Sequence, residues 1–247
     1  MIGFLAENDD FYVNLSLNTQ LELPSARDTV LHYFEQMRKA YPELTNFFTR
    51  ENGDLVLEGD KEQDSYRWVS LESKRVCSGQ VNPENLEDAY RQHEHVLDMA
   101  PHLLSLSTLD CEALDVMYGF DLTYSGNHDE VVAEALGLGS AFENVLEPPN
   151  GHRILNFEPS ITLALDESFQ LQCRLSIETR TNPFQIRTGD FPEEQLSVYF
   201  AVRKYWGGGT ESFLESFLKQ RQVGEELLMN RVIPRVVRPL AQAIASR

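Results

Sequence analysis

Catalytic signatures are what this sequence most plainly lacks. Its 247 residues contain no Gly-x-Ser-x-Gly elbow and no P-loop. Gly137-Leu138-Gly139-Ser140 misses the dinucleotide fingerprint, because Phe142 stands where a third glycine belongs. Cysteine is scarce: Cys77, Cys111 and Cys173 are odd in number, far apart and without a Cys-x-x-Cys pair, which excludes a disulfide framework and predicts buried free thiols. Basic residues are few, 21 against 39 acids for a net charge of −18, and that argues against a free-standing nucleic-acid binder. No apolar run approaches the roughly 18 residues of a membrane helix. The start, MIGFLAENDD, lacks the basic and long apolar regions of a secretory signal. These absences together predict a cytoplasmic chain with no membrane partner and no cofactor.

What is present is enough apolar content, 42%, to build a folded core. The most regular stretch is Leu114 to Asp129. Leu114, Val116, Tyr118, Phe120, Leu122 and Tyr124 recur every second residue and share one face of an extended chain. Asp115, Met117, Gly119, Asp121 and Thr123 fall on the other face. Ser125-Gly126 turns the chain, and Asn127 is placed to cap a helix whose first turn holds Asp129 and Glu130. Residues 11–34 repeat that plan. Phe11, Val13, Leu15 and Leu17 alternate with Tyr12, Asn14, Ser16 and Asn18, then Pro24 ends the run and Ser25 is the predicted cap of a helix over 26–40.

Between these stretches, Asn52-Gly53 predicts a type I′ hairpin between apolar runs at 47–48 and 55–57. One strand is predicted over 65–77. Asn82-Pro83-Glu84 reads as a helix start, with Pro101 kinking or ending that helix near Ala100. A further helix is predicted over 128–146, a loop at Pro148–Gly151, and a hairpin over 161–179 with Phe169, Leu171, Cys173, Leu175 and Ile177 facing in. Residues 181–194 read as a long loop. A last strand runs from Leu196, followed by a C-terminal helix capped by Thr210 and split at Ile233-Pro234.

Runs of consecutive strands give an α+β class with mostly antiparallel sheet and helices on one face. The pattern suggests a tandem duplication of a strand, helix, three strands, helix unit, with halves at 1–108 and 109–247 that can also form one continuous domain. Charge is uneven along the chain. Residues 218–247 hold six basic groups against two acids, which leaves the remainder at −22. A basic C-terminal helix lying on an acidic body and an exposed anion-binding tail are both consistent with this.

Candidate chemistry is sparse. His95, Asp98 and His102 share a helical face at spacings of three and four and could hold a divalent metal, although Pro101 interrupts that face. His93 lies on the apolar stripe, where a neutral core histidine is the commoner outcome. Gly207-Gly208-Gly209-Thr210 could cradle a phosphate, or act as a hinge. Asp115 and Asp121, with Tyr12 and Asn14 at matching places, would floor a polar pocket if the 181–194 loop covered that sheet face. The leading expectation is a non-catalytic protein acting by protein contact, self-association to a homodimer included. The alternative is a small-ligand binder or metal-dependent hydrolase using that cleft.

Overall fold

The computed structural model describes residues 9–139, 153–206 and 211–247. Nine strands form one antiparallel sheet: β1 Asp10–Thr19, β2 Asn46–Thr49, β3 Leu55–Glu58, β4 Tyr66–Leu71, β5 Arg75–Val81, β6 Cys111–Tyr124, β7 Ser160–Ala164, β8 Leu171–Glu178 and β9 Glu194–Tyr205. Their order across the sheet is β2-β3-β4-β5-β1-β6-β9-β8-β7. The two most regular alternations of the sequence therefore pair at the centre, β1 against β6 from Asp10↔Asp121 to Thr19↔Cys111. Phe11, Val13, Leu15 and Leu17 on β1 are fully buried, as are Leu114, Val116, Tyr118 and Phe120 on β6. Each such side chain contributes roughly 1.5–3 kcal/mol on leaving water.

Among the described residues there are six α-helical segments: α1 Arg27–Ala40, α2 Leu86–Leu103, α3 His128–Leu136, α4 Pro183–Thr188, α5 Phe213–Leu227 and, after a π-helical stretch Leu228–Val237, α6 Arg238–Ala245. α2 and α5 cover the apolar side of the sheet centre. Gln92 of α2 is wholly buried and donates to Trp68 O, Gly79 O and Ser78 Oγ at 2.9–3.2 Å. Gln220 of α5 does the same between β6 and β9, donating to Leu114 O at 2.8 Å and Val202 O at 2.9 Å. The hydroxyls of Tyr90 and Tyr118 meet at 2.8 Å beneath α2, and the Arg221 guanidinium lies 4.3 Å over the Tyr90 ring. Buried amide N–H groups and hydroxyls thus bolt helices to strands through hydrogen bonds to backbone carbonyls and to one another.

The α+β class and the antiparallel sheet agree with the sequence; several details differ. The expected strand over 65–77 is a hairpin, β4 and β5, closed at Ser73-Lys74 by Glu72 N donating to Arg75 O at 2.9 Å and by the Arg75–Glu72 ion pair at 2.5 Å. No glycine marks this turn, so the sequence hides it. Among the described residues the first half then has four strands after its helix where the second has three, so the tandem duplication is not shown. The sheet runs continuously across the boundary at residue 108, which falls between α2 and β6. At Asn52-Gly53 only Gly53 has positive φ (91°), so the connection is a longer turn over Arg50–Asp54 and not type I′.

Helix ends also move. α1 starts after Ala26 with no side-chain cap, not at Ser25. α2 starts at Leu86 because Asn85, not Asn82, accepts from Asp88 N at 3.1 Å. Asn82 instead takes φ 46° and ties Asp10, Phe11 and Asp64 together. Pro101 sits inside the last turn of α2, where its missing N–H removes a single bond and the helix still closes with Leu104 N donating to Ala100 O at 3.1 Å. α3 stops at Gly137, whose φ of 75° suits only glycine comfortably. The 181–194 stretch holds α4, capped by Asn182 and Gln185, with Ile186 buried. Phe169 is exposed at 67% and takes φ 58°, so it turns the β7–β8 hairpin and does not face in. α5 is capped by Ser212, not Thr210. Pro234 does not split the C-terminal helix. The backbone passes it in π-helical pairing, a widening that accommodates a residue without an N–H. The Gly139–Phe142 and Pro148–Gly151 features and the Gly207–Thr210 turn fall wholly or partly outside the described residues.

Among the described residues no helix is long and apolar enough to cross a membrane. The C-terminal basic groups divide in two. Arg221 pairs with Glu87 and Glu94 of α2, and Arg247 with Glu134 of α3. Arg231 and Arg235 are exposed.

Candidate functional site

Strand alternation sends Tyr12, Asn14, Ser16, Asp115, Met117, Gly119 and Asp121 to the face opposite the helices. Register then assembles this open face into cross-strand rows. One row runs Thr162, Arg174, Ala201, Met117, Asn14, Gly79, Trp68, from β7 to β4 without a break. The next runs Gln172, Arg203, Asp115, Ser16, Cys77. Both rows line a single cavity of about 600 Å³. In a flat sheet β4 and β7 would stand six strand spacings apart, on the order of 29 Å. Sharing one cavity requires the sheet to curl into a trough.

Two glycines let aromatic rings lie across the open face, Trp68 within the trough and Tyr12 beside it. Gly79 lies directly opposite Trp68, and Gly119 directly opposite Tyr12. A Cβ on Gly79 would collide with the Trp68 ring and Asn14 Oδ1, and one on Gly119 would collide with the Tyr12 ring. Each ring therefore lies flat across its neighbour's bare backbone. Asn14 Oδ1 is buried beside Trp68 and has no hydrogen-bond partner among the described residues.

The charges of the trough are three guanidiniums and two carboxylates, in a chain whose overall charge is strongly negative. Asp115 receives Arg203 through two bonds, 2.5 and 2.7 Å, and a third from Asn18 at 3.0 Å. The bonds to Asp115 hold the Arg203 guanidinium firmly protonated, against the opposing effect of burial. Arg75 is matched by Glu72. Arg174 is bonded only to Ser160 Oγ, at 3.3 Å, and makes no ion pair among the described residues. Cys77 lies in the same lining, and its thiol is pushed up to about 12 by burial first and by Glu72 second, so it stays protonated at neutral pH. Burial likewise raises Cys173. All three cysteines are free and buried.

The sequence-predicted residues separate here. Asp115 lines the cavity. Asp121 lies on the same face three rows from Asp115, 8% exposed, and accepts from Ser197 Oγ at 2.6 Å and Tyr12 Oη at 3.4 Å. Burial raises its carboxyl above the usual range, opposed by the Ser197 bond. Residues of the 181–194 stretch do not line the trough; they pack near Ser125, whose hydroxyl donates to Phe191 O at 2.7 Å. His95 is half-buried with its ring edge-on to Tyr41 at 6.0 Å, whereas Asp98 and His102 are exposed. Among the described residues no three His, Cys, Asp or Glu side chains gather where they could hold a metal ion. His93 is fully buried, 3.0 Å from Ser78 Oγ, and burial lowers its pKa to about 3, which keeps the imidazole neutral.

Trp68, Arg174 and Arg203 are the trough residues that pattern reading missed. The signal was available in part: Gly79 and Gly119 interrupt strand patterns at positions where a neighbouring ring or backbone must approach closely. Comparison with known proteins adds little to this geometry. No protein-family model and no curated protein sequence matches the chain. One solved structure, an alkyldihydroxyacetonephosphate synthase, aligns with 96% of this chain and 43% of its own at 9% identity, with a TM-score of 0.18, too low to speak for a shared fold.

Proposed function

We propose that this is a non-catalytic binding protein whose curled open sheet face takes a small organic anion with a flat or apolar body. The observation that carries the reading is the Arg174 guanidinium without an ion-pair partner among the described residues, in the same cross-strand row as the Trp68 ring and the unpartnered Asn14 Oδ1. A cavity of about 600 Å³ is within the usual size of a ligand site. A carboxylate or phosphate would pair with Arg174, its body would lie against Trp68, and an N–H or O–H on it would satisfy Asn14. The protonated Cys77 thiol favours binding over nucleophilic chemistry.

The test is titration of the full chain with a panel of aryl carboxylates and phosphates beside their neutral amide isosteres, followed by tryptophan fluorescence and calorimetry. Saturable binding of an anion, weakened tenfold or more in Arg174→Gln, supports the reading. Equal binding of the neutral isosteres, or an Arg174→Gln variant with unchanged affinity, sinks it.

A second reading, protein contact, rests on the sheet edges. Every residue of β7 and of β2 is exposed, neither strand carries a charged side chain, and Ile161, Leu163, Phe47 and Phe48 stand at the surface. Open edges without guarding charges favour strand addition, including self-association. Light scattering at micromolar concentration would reveal an oligomer that Leu163→Lys dissolves; a single-chain mass at all concentrations counts against it.

A further inference from the structure

The trough changes character along its length, and that order describes a ligand more closely than its anionic end alone. At one end the half-buried Trp68 ring lies against the bare backbone of Gly79 and lines the cavity. At the other end Arg174 is exposed, bonded only to Ser160 Oγ among the described residues. Four strands, β5, β1, β6 and β9, lie between the two. In a flat sheet they would stand five spacings apart, on the order of 24 Å. Curling shortens that distance without joining them, since Arg174 makes no cation–π contact with the Trp68 ring among the described residues. A small ring carrying its acid directly meets one end or the other. A ligand that meets both must hold its ring and its anion apart.

The middle of the trough says what stands between them. Arg203 is neutralised by Asp115, which accepts two bonds from it, and Arg75 is neutralised by Glu72. With those pairs cancelled, the lining keeps one positive charge, at Arg174. The wall between the ends includes Ser16, Gln172 and Tyr199, which are polar and uncharged. Such side chains both donate and accept, so they suit a neutral spacer that bears hydroxyls. The cavity of about 600 Å³ has the volume of about twenty waters at roughly 30 Å³ each, which is room for a molecule of three parts.

We propose that the trough binds a nucleoside 5′-monophosphate, its base stacked on Trp68, its ribose along Ser16 and Gln172, and its phosphate on Arg174. This rests on the anion reading of the same site and names the ligand class. Stacking is open to every base, because each has a π-face. One net positive charge matches one phosphate group. A nucleic-acid strand carries a phosphate at every nucleotide and is held by a run of basic groups. Three arginines, two of them neutralised, are no such run in a chain of net charge −18, so the occupant is a single nucleotide.

The experiment is calorimetric titration of the full chain with AMP, GMP, CMP and UMP, each beside its nucleoside. Ribose 5-phosphate, phenyl phosphate and a single-stranded adenine pentanucleotide complete the panel. The expected result is saturable binding of at least one nucleotide, tenfold or more tighter than its nucleoside or ribose 5-phosphate, which each lack one end. Arg174→Gln and Trp68→Leu should each weaken it about tenfold or more, and Trp68→Phe, which keeps a ring, should weaken it less. Circular dichroism checks that each variant folds; should Trp68→Leu fail to, the comparison with ribose 5-phosphate decides the role of the base. Phenyl phosphate bound as tightly as the best nucleotide, with Arg174→Gln weakening both, would overturn the nucleotide assignment and leave the anion reading standing. Absence of any Arg174-dependent binding would overturn both. Nucleotide affinity indifferent to a folded Trp68→Leu, or a pentanucleotide bound more tightly than AMP, would also overturn the assignment, the latter in favour of a strand.

Discussion

Trp68 and Arg174 stand five strands apart in one cross-strand row and line the same cavity. Only a sheet curled into a trough brings them there, and the small residues between them, Gly79 and Ala201, keep its floor low. The relationship makes the glycines of the open face structural determinants in their own right.

Gly119→Ala should therefore destabilise the protein by about 1–3 kcal/mol, because the added methyl overlaps the Tyr12 ring and overpacking carries costs of that size. The loss should shrink when Tyr12 is also shortened to alanine, and urea denaturation of the two single variants and the double variant measures that coupling. Additive losses would mean that the ring does not lie across Gly119. Gly79→Ala should in addition shift Trp68 emission, since the same methyl displaces that ring.

Acid sensitivity should trace in part to His93. Its folded pKa is lowered from 6.5 to about 3 by burial, so below 6.5 the unfolded chain binds a proton that the folded chain does not. The stability that His93 contributes is fully present above pH 6.5 and is lost as pH falls from there toward 3, at up to about 1.4 kcal/mol per pH unit. His128 is shifted in the same direction, also by burial. Unfolding free energies between pH 7 and 5 should fall with pH in the parent and fall less in His93→Gln. An identical slope in the two would place the sensitivity elsewhere.

The start of α2 offers a sharper choice between neighbouring asparagines. Asn85→Ala should cost about 1 kcal/mol and speed hydrogen exchange of the first-turn amides, because its side chain caps Asp88 N. Asn82→Ala should spare those amides and instead loosen the start of β1, where Asn82 accepts from Phe11 N at 2.8 Å. Faster first-turn exchange in the Asn82 variant would restore that residue as the cap.

Much of this architecture is legible residue by residue. The period-two runs of β1 and β6 fix which side chains face the core, and the same alternation puts Asp115, Asp121, Tyr12 and Asn14 together on the open face. The core histidine at 93 follows from its place on an apolar helical stripe. Local chemistry was less reliable where two candidates lay within a few residues, as with Asn82 and Asn85, since a cap is chosen by where the helix docks.

Strand pairing order and curvature are long-range properties, and the tertiary structure alone decided them. Trp68 and Arg174 are more than a hundred residues apart, and no local pattern records that β4 and β8 approach across a curled sheet. Gln220 reads in sequence as an ordinary polar helix residue. It becomes a buried clasp only because α5 lies across the β6–β9 seam. Alternation dictated faces, because a side chain's direction is set by its own backbone. Register and curl dictated sites, because they are set by partners that the chain meets only when folded.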